Sequence, residues 1–287
     1  MTETNQVALP ARMGVLGGGR MGAGIAHAFL IKGVDVLVVE RDETSAQGAR
    51  ERVESAVEKS LARGLEGTLA DYSAKLSVST NYADFGDREL VIEAVPEIWD
   101  LKVSSLKAVE AALTPGAILA SNTSSLSMSG LAENLERPAD FLGLHFFNPV
   151  PASTLIEVVI AKETAPELVA TARDWVAGLG KTAVVVNDAP GFASSRLGVA
   201  IALEAMRMVE EGVASAEDID NAMVLGYKHP TGPLKTTDIV GLDVRLGIAE
   251  YLESTLGERF APPQIMRDMV ARGELGRKTG KGFYDWS

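Results

Sequence analysis

The chain has 287 residues, room for two domains of ordinary size, and a hydrophobic content of 46% that suits burial of a substantial core. A formal charge of -12 opposes nonspecific binding to nucleic acid or anionic lipid, yet it leaves room for a phosphate-bearing cofactor at a helix N-terminus. With no cysteine, a disulfide framework, a thiolate metal site and a cysteine nucleophile are excluded, and no apolar stretch reaches the roughly 18 residues that span a bilayer.

The start, Met1 to Pro10, is polar and lacks the basic region and apolar run of a signal peptide, so a cytoplasmic location is the expectation. Met13 to Leu16 is a short apolar run that ends in Gly17-Gly18-Gly19-Arg20-Met21-Gly22. Ala23 to Ile31 reads as helix and Val34 to Val39 as a second apolar strand ending at Glu40, which together make a βαβ unit. Thr44 to Gly64 is a long helical stretch, Leu90 to Val95 a buried strand, and Leu101 to Leu113 an amphipathic helix stopped by Thr114-Pro115-Gly116. Ala117 to Ala120, Phe141 to Phe146, Ile156 to Ile160 and Thr182 to Val186 complete the strands, with a helix over Pro166 to Leu179. This alternation predicts an α/β fold with a mostly parallel, Rossmann-type sheet.

The pattern changes after Asn187-Asp188-Ala189-Pro190-Gly191. From Phe192 to Arg272 the chain offers helices and almost no strand; Leu197 to Val209 is the clearest, and Ser215 with Asp218 is an N-cap pair opening another. The expected division is therefore a nucleotide-binding domain over 1–187 and an all-helical C-terminal domain over 188–287.

Gly17-x-Gly19-x-x-Gly22 matters because of its context, strand before and helix after. Gly17 permits the tight turn, Gly19 lets a pyrophosphate approach backbone N–H groups, and Gly22 lets helix pack on strand. Glu40 ends the second strand, where a carboxylate accepts from the ribose hydroxyls of NAD and repels the 2′-phosphate of NADP; Arg41 beside it partly offsets that repulsion.

Oxidation of an alcohol by a nicotinamide needs a base for the hydroxyl proton, and histidine suits that near neutral pH. Of three histidines, His27 lies among alanines in the first helix and reads as a packing residue, and His229 sits in a Pro-flanked turn. His145 ends a strand, facing the crevice where open α/β sheets bind ligands. Glu157, alone in the apolar run Leu155-Ile156-Glu157-Val158-Val159, needs a partner if buried, and an imidazole would serve; a solvent-facing Glu on an edge strand is the other reading.

Taken together, these segments resemble the short-chain 3-hydroxyacyl-CoA dehydrogenase family, which includes the 3-hydroxybutyryl-CoA dehydrogenases. The similarity runs nearly end to end, through Gly17–Gly22, Glu93-Ala94-Val95-Pro96-Glu97, Ala120-Ser121-Asn122-Thr123-Ser124-Ser125-Leu126 and Gly143-Leu144-His145-Phe146-Phe147-Asn148-Pro149-Val150. It continues through Pro190-Gly191-Phe192, Gly232-Pro233-Leu234, Asp238 to Asp243 and Gly280-Lys281-Gly282-Phe283-Tyr284.

The resemblance implies NAD as cofactor, bound by Gly17, Gly19, Met21, Gly22, Glu40, Glu97, Lys102 and Asn122, with no metal. It implies an (S)-3-hydroxyacyl-CoA substrate held between the domains, and a homodimer joined through the helical domain. Its catalytic pair maps onto His145 and Glu157, and its substrate-contacting serine onto Ser124. Where many members carry Asn-Arg after Pro-Gly-Phe, this chain has Ser195-Arg196, so Ser195 takes the place of a donor to the thioester region. Lys59 and Arg63 are candidate CoA-binding bases. An unassisted reading of Ser124 and Asn122 makes them an N-cap cluster opening a helix, a role that can hold together with the functional one. The rival function is an NAD-dependent dehydrogenase of a free hydroxy acid or sugar acid, since gulonate dehydrogenases share much of this pattern.

Overall fold

The structure is a computed structural model that describes residues 9–287; the polar start lies, up to residue 8, outside the described residues. The chain divides into two compact units, the first ending at Ala189 and the second beginning at Pro190.

The first unit is one eight-stranded sheet in the order β3-β2-β1-β4-β5-β6-β7-β8. Its elements are β1 (Arg12–Leu16), α1 (Arg20–Leu30), β2 (Asp35–Val39), α2 (Glu43–Leu61), α3 (Leu69–Ser73), β3 (Leu76–Ser79), β4 (Leu90–Glu93) and α4 (Trp99–Ala112). These are followed by β5 (Ile118–Ser121), α5 (Met128–Ala132), β6 (Phe141–Phe146), β7 (Leu155–Ile160), α6 (Pro166–Gly178) and β8 (Thr182–Asn187). The pairings from β3 through β6 are parallel, β7 runs antiparallel to β6, and β8 is parallel to β7. The expectation of a Rossmann-type, mostly parallel sheet holds.

The core is continuous and mostly aliphatic, with Phe29, Phe146 and Trp175 among its members. Ile25, Phe29 and Leu30 of α1 meet Val15, Val36 and Val38 of the sheet, and Ala49, Val53 and Val57 line the inner face of α2. Those α2 positions recur at helical spacing, which is why a helix with otherwise charged residues is held on the sheet. Asp42 caps α2 by accepting from Ser45 N–H at 2.7 Å.

No helix range in the sequence reading covers the short helices α3 and α5, and two strands differ from it. Leu76–Ser79 is an edge strand that pairs only with β2, and with two serines in four residues it carries too little apolar periodicity to be seen. The fourth strand stops at Glu93 rather than Val95, because the Glu93 carboxylate accepts the Val95 N–H at 2.7 Å and turns the chain.

The second unit is helical: α7 (Ser194–Glu210), α8 (Ala216–Asn221), α9 (Pro233–Val240), α10 (Leu242–Leu256) and α11 (Gln264–Ala271). Val199, Leu203 and Met206 of α7 pack with Leu234, Ala249, Leu252 and Met266. Ser215 caps α8 by accepting the Asp218 N–H at 3.1 Å. Buried Asp220 and Asp238 fasten this unit, accepting respectively from Leu234 and Lys235 N–H, and from Phe283 and Tyr284 N–H. Among the described residues no helix is long and apolar enough to cross a membrane, and no group of carboxylates and histidines is arranged to hold a metal ion.

Candidate active site

The glycine turn follows from three separate constraints. Gly17 has φ +89°, a left-handed conformation that costs other residues energy. Gly22 touches the turn so closely that a Cβ there would collide with the Gly17 carbonyl oxygen and press on Val15. At Gly19 a Cβ would meet nothing within 4 Å, so the missing side chain leaves open space at the N-terminus of α1. No side chain caps that terminus, and its first-turn N–H groups point outward from a positive helix end. Met21 stands half-buried in the first turn, packed against the core.

Glu40, one residue past β2, grips this turn: its Oε1 accepts the Gly18 N–H at 2.7 Å, while Arg52 donates to the Gly18 carbonyl at 3.0 Å. The carboxylate is thus fixed beside the glycines before any ligand arrives. Lys59 and Arg63 stand exposed at the far end of α2.

A second polar group forms at the ends of β4 and β5. Glu93 is fully buried and accepts from Val95 N–H, from Lys102 Nζ at 2.8 Å and from Ser121 Oγ at 2.6 Å. Lys102, 1% exposed, also donates to the Val95 carbonyl and lies 3.3 Å from Glu97 Oε2. Glu97 Oε1 in turn collects Thr123 Oγ1, the N–H groups of Ser124 and Ser125, and the Ser124 and Ser125 hydroxyls. Burial alone pushes the Glu97 carboxyl up, but the Lys102 charge and the Thr123 and Ser124 donors outweigh it and hold the carboxyl below its usual range.

The reading of Asn122 and Ser124 as a helix cap does not hold. The next helix, α5, is capped by Ser127, which accepts from Gly130 N–H. Asn122 instead reaches across to β6, accepting the Phe146 N–H at 2.8 Å. That bond ties the Ser124 segment to the strand end that carries His145.

His145 and Glu157 face each other in the antiparallel β6–β7 register. Opposed residues share a face of the sheet, so the imidazole and carboxylate meet directly, Nδ1 to Oε2 at 2.7 Å. Glu157 is fully buried and His145 is 6% exposed, which decides against a solvent-facing Glu. A carboxylate accepts only, so the proton sits on Nδ1 and Nε2 is the basic nitrogen. Phe147 lies against the ring, 4.3 Å between centroids.

The first unit therefore brings His145, Glu157, Asn122, Ser124, Glu97 and Lys102 to the strand ends, and Gly17, Gly19, Gly22 and Glu40 to the glycine turn. Ser195 belongs to the second unit, half-buried in the first turn of α7 just after Phe192, whose φ is +49°. Of the other histidines, His27 is buried and bonded through Nε2 to Ser60 Oγ at 2.9 Å, and His229 is in the turn before α9. The sequence reading overlooked Glu93 as an individual residue, although a lone Glu in the apolar run Leu90-Val91-Ile92-Glu93 is the signal that singled out Glu157.

Residues 12–189 match the family model for the 3-hydroxyacyl-CoA dehydrogenase NAD binding domain, and residues 191–286 match the one for the 3-hydroxyacyl-CoA dehydrogenase C-terminal domain. The chain belongs to the 3-hydroxyacyl-CoA dehydrogenase family. A probable 3-hydroxybutyryl-CoA dehydrogenase of Deinococcus radiodurans is 40% identical over 281 residues, covering 96% of this chain and 100% of that protein. A 3-hydroxybutyryl-CoA dehydrogenase of Mycobacterium tuberculosis is 39% identical over 280 residues, covering 96% and 98%. Among solved structures, (S)-3-hydroxybutyryl-CoA dehydrogenase from Ralstonia eutropha superposes with a TM-score of 0.93 at 37% identity, covering 97% of this chain and 100% of that one.

The activity is NAD-dependent 3-hydroxyacyl-CoA dehydrogenation. The residues present fit the cofactor: an uncapped helix N-terminus opposite open space at Gly19 suits a pyrophosphate, and the anchored Glu40 carboxylate suits unmodified ribose hydroxyls.

Proposed function

We propose that this dehydrogenase oxidises short-chain (S)-3-hydroxyacyl-CoA esters, 3-hydroxybutyryl-CoA among them, to the 3-oxoacyl-CoA, and that it works reversibly. The observation that carries the reading is the buried cross-strand pair of His145 Nδ1 and Glu157 Oε2 at 2.7 Å. NAD, when bound, supplies the hydride acceptor. His145 Nε2 takes the proton of the C3 hydroxyl, while Glu157 holds the ring in that tautomer and stabilises the imidazolium. The Ser124 hydroxyl turns from Glu97 to donate to the C3 oxygen as charge grows there, while the Ser124 backbone N–H stays bonded to Glu97 and holds the segment in place. Ser195 acts as the donor at the thioester, directly or through a water.

The cofactor-binding set is Gly17, Gly19, Met21, Gly22, Glu40, Glu97, Lys102 and Asn122, with NAD preferred over NADP because of Glu40. The working unit is a homodimer joined through the helical unit. Support for that comes from exposed Leu197, Leu225, Tyr227 and Val244, and from an apolar groove of about 450 Å³ lined by Ile201, Met208, Ile219 and Met223. A cytoplasmic location suits an enzyme drawing on dissolved pools of NAD and CoA esters.

Reduction of acetoacetyl-CoA and longer 3-oxoacyl-CoAs, with NADH and NADPH in parallel, tests the reading. His145→Gln should lose at least about a thousandfold in kcat while NADH affinity, measured by fluorescence titration, is kept. Near-normal turnover by that variant would remove His145 from the mechanism.

A further inference from the structure

The antiparallel strands that carry His145 and Glu157 are joined by residues 147–154. A two-residue hairpin sets strand register by its own geometry, but a connection of this length does not. Three contacts within the first unit hold it instead. Val150 is buried, and a Cβ at Gly24 of α1 would come within 2.9 Å of its side chain. The Thr154 carbonyl accepts the Thr182 N–H at the start of β8 at 2.6 Å. The third contact is Lys181, just before β8, whose Nζ donates to the Val150 carbonyl at 2.7 Å and also to the Ser153 carbonyl.

A lysine is a costly tie at this position. It is half-buried, and burial first, then repulsion from Lys32, hold its ammonium below the usual lysine range. A neutral side chain could cap one carbonyl without that cost. An ammonium on a four-carbon stem brings three donors and the reach to bridge two carbonyls. Those two carbonyls belong to the two halves of the connection, one following Phe147 and the other leading into β7. Phe147 lies against the His145 ring, 4.3 Å between centroids. Holding Val150 steadies the ring that packs on the imidazole, and holding Ser153 steadies the strand of Glu157.

We infer that Lys181 is a positioning residue for the reaction: by clamping the Val150 and Ser153 carbonyls it keeps the Phe147 ring on His145 and the imidazole aligned on Glu157. The inference rests on the reading of His145 as the base. Because the clamp acts through the connection between β6 and β7, its loss should slow the proton transfer and leave the glycine turn intact.

Lys181→Met keeps much of the stem and removes the ammonium. Misplacing a catalytic group by up to about an ångström costs roughly tenfold to a hundredfold, so kcat should fall by that much while NADH affinity stays within about twofold. The His145 Nδ1 proton, followed by NMR on labelled histidine, should exchange with water about tenfold faster once its bond to Glu157 is loosened. Lys181→Arg retains a cation with several donors and should keep at least about a third of kcat. If Lys181→Met does not fold, Gly24→Ala displaces the same connection at Val150 and should give the same lowered kcat and faster exchange. A kcat within about twofold of the unaltered enzyme overturns the inference, and so does an arginine variant no faster than the methionine one. A lowered kcat with unchanged exchange of the His145 proton also overturns it, as does an equal loss of kcat and NADH affinity, which would make Lys181 a general support of the unit. His145→Gln separates the two readings. If that variant keeps its turnover, the base itself is misassigned; if it loses turnover while Lys181→Met does not, the clamp alone is wrong.

Discussion

Replacing Glu157 with Gln preserves the size of a fully buried side chain and removes its charge. In the resting enzyme little is lost, because the Gln carbonyl can still accept the Nδ1 proton across the 2.7 Å contact. The difference arises when the imidazole takes the substrate proton and becomes a cation. With about 4 Å between charge centres and an effective dielectric of about 20, the ion pair is worth roughly 4 kcal/mol. Counted instead as a charge-assisted hydrogen bond, it is worth about 1.5–3 kcal/mol. At about 1.36 kcal/mol per decade, the expected fall in kcat lies between roughly tenfold and a thousandfold. The assay is NADH formation from saturating (S)-3-hydroxybutyryl-CoA, run with protium and with deuterium at C3 so that the chemical step is known to be observed. Thermal melting alongside separates a slower enzyme from an unfolded one. A kcat within threefold of the unaltered enzyme, with a full isotope effect and an unchanged melt, would refute the role given to the carboxylate.

Gly22→Ala places a methyl group on the Gly17 carbonyl and should destabilise the first unit by at least about 1–3 kcal/mol while weakening NAD binding; equal affinity by calorimetry would show that the turn is not the cofactor site. Glu40→Ala removes a charge that faces the position of a 2′-phosphate, so the ratio of NADP to NAD affinity should rise by about tenfold, and an unmoved ratio would detach Glu40 from cofactor choice. Lys102→Met leaves Glu93 buried without its cation and should cost about 3–5 kcal/mol, with Glu93→Gln in the same chain recovering part; additive losses in urea titrations would show the two are not coupled. His27 is pushed below its usual pKa by burial and then by the Lys181 charge. The unfolded chain therefore binds a proton near pH 6.5 that the folded chain resists, so this contribution is complete above about pH 6.5 and is lost as pH falls through it. Urea midpoints at pH 7.5 and 5.5 should show a smaller acid loss in His27→Gln, and an equal loss would assign the effect elsewhere.

What the sequence revealed and what it hid follow from the range of the forces involved. Strands such as β2 and β6 are buried on both faces and carry the uncharged runs Val36-Leu37-Val38-Val39 and Phe141-Leu142-Gly143-Leu144, so they are legible without their partners. Edge strand β3 is half-polar because only β2 covers it. The 12-residue spacing from His145 to Glu157 suggests a partner without proving one, since a Glu one position away in register would face the other side of the sheet. Asn122 misled for a related reason: Asn before a run of serines is a local cap signal, but its acceptor was claimed by Phe146, 24 residues on and on a different strand.

The placement of the polar groups explains how an aliphatic sheet accommodates a charged site. Register aligns Leu16 with Val39 and Glu93, and Glu93 with Ser121, which in turn opposes Gly143. The next positions along these strands are Gly17, Glu40 and Asn122, with His145 two past Gly143, so the chemistry-bearing residues cluster along a single edge. One row earlier the same strands carry Val15, Val38, Ile92, Ala120 and Leu142, all buried and apolar. The step from apolar to ionised therefore happens over one or two residues, and the charged groups that end up buried are each matched: Glu93 by Lys102, Glu157 by His145. Because removing one partner of such a pair costs more than the pair contributes, substitutions on this edge should disturb stability and turnover together, whereas those one row inward should disturb stability alone. Val38→Ala and Asn122→Ala make that comparison: the first should lower the melting temperature with kcat kept, the second should lower kcat by loosening the Ser124 segment against β6, and the reverse pattern would mean that this edge is not where the reaction occurs.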